Sequence, residues 1–353
     1  MTKVRYGVVG AGAIAQRAFM PSVDLTDNSA ISAIVSGDRG KAAALADRYG
    51  VENVFSYDEY DTMLVSDVVD AVYIALPNSL HTDFALRAAR AGMHILVEKP
   101  LATTVADCEA MISAANEAGV LLMTAYRLHN DPGTIEVLEQ IRKGAIGQAR
   151  LFISTFSFQS APDNHRLQAK HWGGPLQDIG VYCLNACRHI FEAEPIEAIA
   201  MKGFGNGDQR FTEVEESIAV TLRFPEDRFA QFIASFGAEL TDMYRVIGTT
   251  GDITVEPGYR YETDTTFRIQ QSGKTILSRS SPPNDHFGAQ TFYFSDCILK
   301  GVGTELDGEE GLADVRALLA IEEAAATGRP QQITTPRRDK HPGPKLVRYI
   351  KRR

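Results

Sequence analysis

Residues 4–15 constrain this chain more than any other stretch. An unbroken apolar run, Val4–Val9, passes directly into Gly10-Ala-Gly12-Ala-Ile-Ala15, and residues 13–23 continue with apolar side chains at helical spacing. A continuous apolar run marks a strand buried on both faces. Gly10 permits a tight turn out of that strand, and Gly12 leaves the main chain open to close approach at the helix N-terminus. The small Ala15 lets the helix lie close on the strand. A chain that begins this way is committed to a strand–turn–helix unit built for an anionic visitor.

The alternation continues. Apolar runs at residues 30–35, 71–76, 94–97 and 120–124 read as further strands, and residues 39–49, 81–91 and 105–118 read as helices between them. Right-handed βαβ units of this kind build a doubly wound parallel sheet, a Rossmann domain of the α/β class. After residue 150 the period changes to two. In Ser217–Phe224, Ile218, Val220, Leu222 and Phe224 alternate with Ala219, Thr221 and Arg223, and similar stretches occupy residues 151–158, 228–236 and 244–255. Alternation predicts antiparallel strands with one face covered and one open. Helices are expected at 176–191 and 311–327. The expected second part is therefore an α+β domain with a large open-faced, mainly antiparallel sheet. At 353 residues the chain exceeds what one core usually holds. The division expected is 1–125 for a dinucleotide-binding domain, 126–335 for substrate binding and oligomerisation, and 336–353 for a basic tail. An open sheet face asks for a partner, so a homodimer or homotetramer through that face is expected.

Composition closes other routes. The formal charge is -9, with 36 basic against 45 acidic side chains, which argues against nucleic acid as a partner. No apolar run approaches the ~20 residues that span a bilayer, and no signal peptide fits before the first strand, so a cytoplasmic location is expected. Cys108, Cys183, Cys187 and Cys297 form no CxxC pair, and the histidines show no metal spacing; no metal is expected. Cys183 and Cys187 read as small packing residues. Residues 337–353 carry eight Lys or Arg and one Asp and read as a solvated arm.

The glycine turn, in its strand–helix setting, points to a dinucleotide. An NAD site wants a carboxylate at the end of the second strand. Here Ser36-Gly37-Asp38-Arg39-Gly40-Lys41 offers a hydroxyl and two cations at Arg39 and Lys41, a set that suits the 2′-phosphate of NADP. Asp38 would oppose that phosphate if it turned inward. NADP is expected, with NAD second. At the end of the fourth strand stands Glu98-Lys99-Pro100, where sheets of this type bind ligands. Further on, Gly173-Gly174-Pro175 precedes a helix on which Asp178 and Tyr182, four apart, share a face.

The order of these motifs resembles the glucose–fructose oxidoreductase/inositol dehydrogenase (Gfo/Idh/MocA) family. It comprises GxGxxA, Pro77-Asn78-Ser-Leu-His81, Glu98-Lys99-Pro100, Gly-Gly-Pro with Asp178 and Tyr182, and Glu309-Glu-Gly-Leu-Ala-Asp314. Tyrosine at 182, where many members carry histidine, resembles the glucose–fructose oxidoreductase branch with its NADP-dependent xylose dehydrogenases and dihydrodiol dehydrogenases. The resemblance implies reversible hydride transfer between nicotinamide and a carbinol carbon of a sugar or related polyol. It implies cofactor contacts at Gly10, Gly12, Ala13, Ile14, Ser36, Gly37, Arg39, Lys41, Leu76, Pro77, Asn78, His81, Glu98 and Lys99. Substrate contacts are expected at Lys99, Arg127, His129, Asp178 and Tyr182. Tyr182 is the candidate proton acceptor beside Lys99, since a neighbouring cation favours tyrosinate. Asp178 is expected to orient Lys99 and hold substrate hydroxyls. Lys99 as the proton-transfer group is the runner-up. A glucose–fructose oxidoreductase-like enzyme with tightly held NADP, a dihydrodiol dehydrogenase and a non-catalytic NADP-binding regulator are the alternatives.

Overall fold

The computed structural model describes residues 2–352, which divide into two compact units. The first comprises residues 2–131, 284–312 and 348–352. Its sheet is formed by β1 (Val4–Val9), β2 (Ser29–Val35), β3 (Asn53–Phe55), β4 (Ala71–Ile74), β5 (His94–Val97) and β6 (Leu122–Thr124). All neighbours are parallel, in the order β3-β2-β1-β4-β5-β6. The order reverses between β1 and β4, which opens a crevice at their carboxyl ends. The first crossover is a π-type segment, Ala15–Phe19, running into α1 (Met20–Val23). Then come α2 (Arg39–Tyr49), α3 (Tyr60–Leu64), α4 (His81–Arg90) and α5 (Val105–Ala118). Helix α5 shows why local sequence suffices here. The Thr104 hydroxyl accepts from the Asp107 amide at 3.0 Å, and left-handed Gly119 closes the far end.

The second unit comprises residues 132–283 and 313–347. It opens with α6 (Pro132–Arg142) and carries β7 (Ala149–Ser157), α7 (Val181–Phe191) entered through a π-type segment, Leu176–Gly180, and β8 (Glu197–Gly203). Strands β9 (Ser217–Phe224), β10 (Arg228–Ser235), β11 (Thr241–Gly248), β12 (Asp252–Val255), β13 (Thr266–Gln271) and β14 (Lys274–Ser280) follow. After α8 (His286–Lys300) and α9 (Gly308–Thr327), β15 (Gln331–Gln332) completes the sheet order β14-β13-β12-β11-β7-β10-β9-β8-β15. β10 runs parallel to β7, and the other neighbours are antiparallel. The covered face presents Phe152, Val220, Leu222 and Phe232. The open face leaves Leu151, Ile153, Ile199, Phe229, Ile233 and Met201, the last 72% exposed, in water.

Three expectations change. Residues 244–255 form a hairpin rather than one strand, because Gly248 and Gly251 turn the chain: the Gly248 amide donates to the Gly251 carbonyl at 2.8 Å. Helix α8 belongs to the first unit, where the Ser295 hydroxyl lies 2.7 Å from that of Tyr6 on β1. The basic tail is not a solvated arm. Leu346 is buried, the Ile350 amide donates to the Asn284 side chain at 2.9 Å, and the Arg348 guanidinium sits over the Tyr293 ring. All four cysteines are buried as free thiols, and burial pushes the Cys183 thiol up to about 12. Among the described residues, no helix is long and apolar enough to cross a membrane.

Candidate active site

In the first unit, the turn after β1 is fixed by its neighbour strand. Gly10 has φ +99°, and a β-carbon there would lie 2.6 Å from the Ala75 carbonyl oxygen just beyond β4. Its amide donates to the Val35 carbonyl of β2 at 2.9 Å. Around Gly12 nothing lies within 4 Å of an added β-carbon, and Ala13 is exposed. Ala15 is wholly buried, as helix-on-strand packing needs. Ile14 is half-buried, while Leu76 lies buried just past β4, opposite the turn. Open main chain at a helix start, at the strand-order reversal, fits a pyrophosphate.

At the end of β2, the ambiguity over Asp38 is resolved by capping. Its carboxylate accepts from the Lys41 amide at 2.9 Å as the N-cap of α2, and its own amide donates to the Ser36 hydroxyl at 3.1 Å. Ser36 is buried, and Gly37 beside it packs on the Tyr57 ring. Arg39 is 78% exposed along its side chain and lies 3.6 Å from Glu59; Lys41 is half-exposed and 3.9 Å from Asp38. The two cations stand at the surface with weak partners, available to a phosphate. The residues present therefore fit NADP.

The turn after β5 is held from within. His81 opens α4 fully buried, with Nδ1 2.9 Å from the Pro100 carbonyl and Nε2 3.0 Å from the Leu76 carbonyl. A neutral imidazole has one N–H for these two acceptors, and burial lowers its pKa. Expected as a cofactor contact, His81 has no ring nitrogen left to offer; it ties the Lys99-Pro100 turn to the Leu76-Pro77 turn. Asn78 begins the short helical turn Asn78–Leu80 next to it. Glu98 accepts the Tyr73 hydroxyl at 2.6 Å. Burial pushes its pKa up, against the pull of Lys99 and that hydroxyl. Lys99 itself is half-buried.

Arg127 and His129 follow β6, and both are buried. Arg127 Nη1 lies 3.0 Å from His286 Nδ1. Because arginine only donates, that nitrogen accepts, which leaves the proton on Nε2, 3.2 Å from the Asp131 carboxylate. The row Arg127–His286–Asp131 was invisible in the sequence, since its histidine lies 159 positions from its arginine. The His129 ring stacks on Tyr126 at 5.4 Å.

In the second unit, Asp178 and Tyr182 lie on the π segment and first turn of α7, both half-buried. Tyr182 meets the Phe156 ring edge-on at 5.9 Å and the Tyr259 ring at 6.2 Å, an aromatic seat that limits its rotamers. Asp178 pairs with Arg166 Nε at 2.9 Å. Arg166 escaped the sequence reading; a search for the counter-ion of Asp178 would have found it. Further along α7, Arg188 donates to Asp314 Oδ1 at 2.6 Å, and Asn185 to Asp314 Oδ2 at 2.9 Å, both buried.

A dinucleotide turn on a parallel sheet, joined in one chain to an open-faced sheet whose helix carries an acid and a tyrosine, defines a class: the two-part nicotinamide-dependent oxidoreductases. Residues 4–126 match the family model described as the GFO_IDH_MocA oxidoreductase family with NAD-binding Rossmann fold, and residues 134–254 match its C-terminal domain. The chain belongs to the Gfo/Idh/MocA family. It is 33% identical to a D-xylose 1-dehydrogenase [NADP(+)] of Haloarcula marismortui, over 92% of this chain and 91% of the relative. The aldose–aldose oxidoreductase of Caulobacter crescentus, solved with glycerol, superposes with TM-score 0.88 at 37% identity, covering 94% and 100% of the two chains. A 3-ketoreductase of Actinomadura kijaniata, solved with NADP and TDP-benzene, superposes at 0.84 with 28% identity, covering 92% and 98%.

Proposed function

We propose that this chain is an NADP-dependent dehydrogenase of aldoses, with D-xylose and its stereochemical neighbours as the first substrates to try. The observation that carries the cofactor choice is Asp38, whose carboxylate caps α2 instead of facing the end of β2. Ser36, Gly37, Arg39 and Lys41 are then left to meet a 2′-phosphate. The named activity of the Haloarcula relative, at 33% identity, supports the sugar. In this reading Gly10, Gly12, Ala13 and Ile14 receive the pyrophosphate, and Leu76, Pro77, Asn78 and Glu98 border the nicotinamide side. His81 acts through the main chain of the Lys99-Pro100 turn.

NADP supplies the hydride acceptor for oxidation and, reduced, the donor for the reverse. Tyr182 takes the hydroxyl proton from the carbinol as the hydride leaves, general-base work that contributes roughly 10²–10⁴ in rate. Direct proton transfer by Lys99 is the alternative. Asp178 accepts hydrogen bonds from sugar hydroxyls, and Arg127 and His129 stand on the substrate side of β6. Residues 1–125 serve the cofactor, 126–335, apart from helix α8, the substrate and self-association, and 336–353 form the tail. The apolar open face around Ile153 and Ile233 is read as the seat of a second copy in a homodimer or homotetramer working in the cytoplasm. Ile153→Asp is expected to lower the sedimentation mass.

The test is absorbance at the reduced-nicotinamide band with NADP or NAD and a panel of aldoses, cyclitols and dihydrodiols. Reduction with an aldose and NADP, faster than with NAD, is the expected result. Silence on every aldose with NADPH binding intact would overturn the reading. NADP held at full occupancy through purification would replace it with the tightly bound form.

A further inference from the structure

Arg166 belongs to no motif noted in the sequence, yet it sits where two features of the second unit meet. Its guanidinium Nε lies 2.9 Å from Asp178 Oδ1, with the arginine side chain 32% exposed and the aspartate 15%. Its main chain is engaged on the same helix start. The Arg166 carbonyl accepts from the Gly174 amide at 2.8 Å, and a β-carbon on Gly173 would come within 2.2 Å of that oxygen. The Arg166 amide in turn donates to Asn164 Oδ1 at 3.0 Å. Residues 164–174 therefore lie flat against the approach to α7, and glycine at 173 is the condition for it.

The rest of the segment is anchored at three points. Leu167 is buried, the Ala169 amide donates to Glu213 at 3.1 Å, and Trp172 Nε1 donates to Glu322 at 2.8 Å. Gln177, next to Asp178, donates to the other oxygen of Glu322 at 2.6 Å. The segment and the helix start thus share Glu322 at one end and the Arg166–Asp178 pair at the other. A half-buried, charge-assisted pair of this geometry fixes one carboxylate oxygen and the orientation of the other.

We propose that Arg166 is a positioning residue for the sugar. It fixes the Asp178 carboxylate and, through it, locks residues 164–174 into the wall against which sugar hydroxyls are read. The inference rests on the proposed sugar-oxidising function and names a residue through which its substrate affinity is set. Arg166 acts through Asp178, so its removal falls on sugar affinity and leaves the nucleotide untouched, because every nucleotide-facing residue lies in the first unit.

The chain supplies its own reporter. Trp172 is the single tryptophan and lies in this segment. The experiment compares wild type, Arg166→Lys and Arg166→Gln, each saturated with NADPH and titrated with D-xylose by tryptophan fluorescence, then assayed for kcat and KM with NADP. Arg166→Gln is expected to need about tenfold more sugar for the Trp172 response and to show a KM raised about tenfold, with kcat within about threefold and the NADP KM unchanged. Arg166→Lys, which keeps the charge, is expected within about threefold of wild type. A glutamine variant matching wild type in both readouts would overturn the proposal, as would a lysine variant as impaired as the glutamine one. Wild type that binds sugar by fluorescence without turnover would defeat the activity alone, and Arg166 would then be judged on the titration. Wild type that shows no Trp172 response to any aldose would defeat both.

Discussion

The glycine turn of the first unit and the helix start of the second are built by opposite means. Around Gly10 the geometry is main chain against main chain: one φ, the Ala75 carbonyl and one amide bond to Val35. Around Asp178 and Tyr182 it is side chain against side chain. Arg166 holds Asp178, Glu322 holds Gln177, and Asp314 holds Arg188 across 126 positions. A turn of the first kind serves any dinucleotide, and an arrangement of the second kind can change partners and so change substrate. The difference explains how one fold keeps its cofactor while its substrates vary.

The comparison can be broken by a mutation that ought to stay within one unit. Asp314→Ala takes one carboxylate from the fully buried Arg188, which also pairs with Glu194, and should cost about 3 kcal/mol, the low end for a broken buried pair. Denaturant unfolding measures the loss, and NADPH affinity of the folded fraction should hold. A matching loss of affinity would mean that the two units cannot be reasoned about apart. Gly10→Ala sharpens the other side. It places a β-carbon 2.6 Å from the Ala75 oxygen at positive φ, strain of roughly 1–3 kcal/mol, and NADPH binding by fluorescence should weaken at least tenfold.

The smallest effect is one of pH. His81 is buried, so its folded pKa lies below the ordinary 6.5. The unfolded chain then binds more protons as pH falls through 6.5, and stability is fully present above that value and lost progressively below it. Thermal unfolding from pH 8 to 5 should show the decline, and His81→Gln should make it shallower, with His94, His165 and His171, also lowered by burial, keeping the rest. An unchanged slope in the variant would remove His81 from the account of that turn.

Legibility in the sequence followed the same divide. Helices α2 and α5 could be placed to the residue, since caps and glycines stand at their ends. Strand β9 showed itself by alternation. Strand β8 did not, because Ile199 and Met201 point to the open face while Ala198 and Ala200 point inward, which leaves no polar side to see. Asp178 and Tyr182 could be found as a helical pair, and Arg166 only as the counter-ion of Asp178; His286 could not, because it stands 159 positions from Arg127 and that distance leaves no local signal. The end of the chain misled for a related reason: charge predicted solvation, while Leu346 and Ile350 decided packing.

The most direct test of the whole account sets binding against turnover in one variant, Tyr182→Phe. The ring keeps its seat between Phe156 and Tyr259 and loses only the oxygen. The account predicts wild-type affinity for NADPH and a kcat on D-xylose with NADP lowered roughly 10²–10⁴-fold. Turnover at the wild-type rate would contradict it and transfer the proton to Lys99.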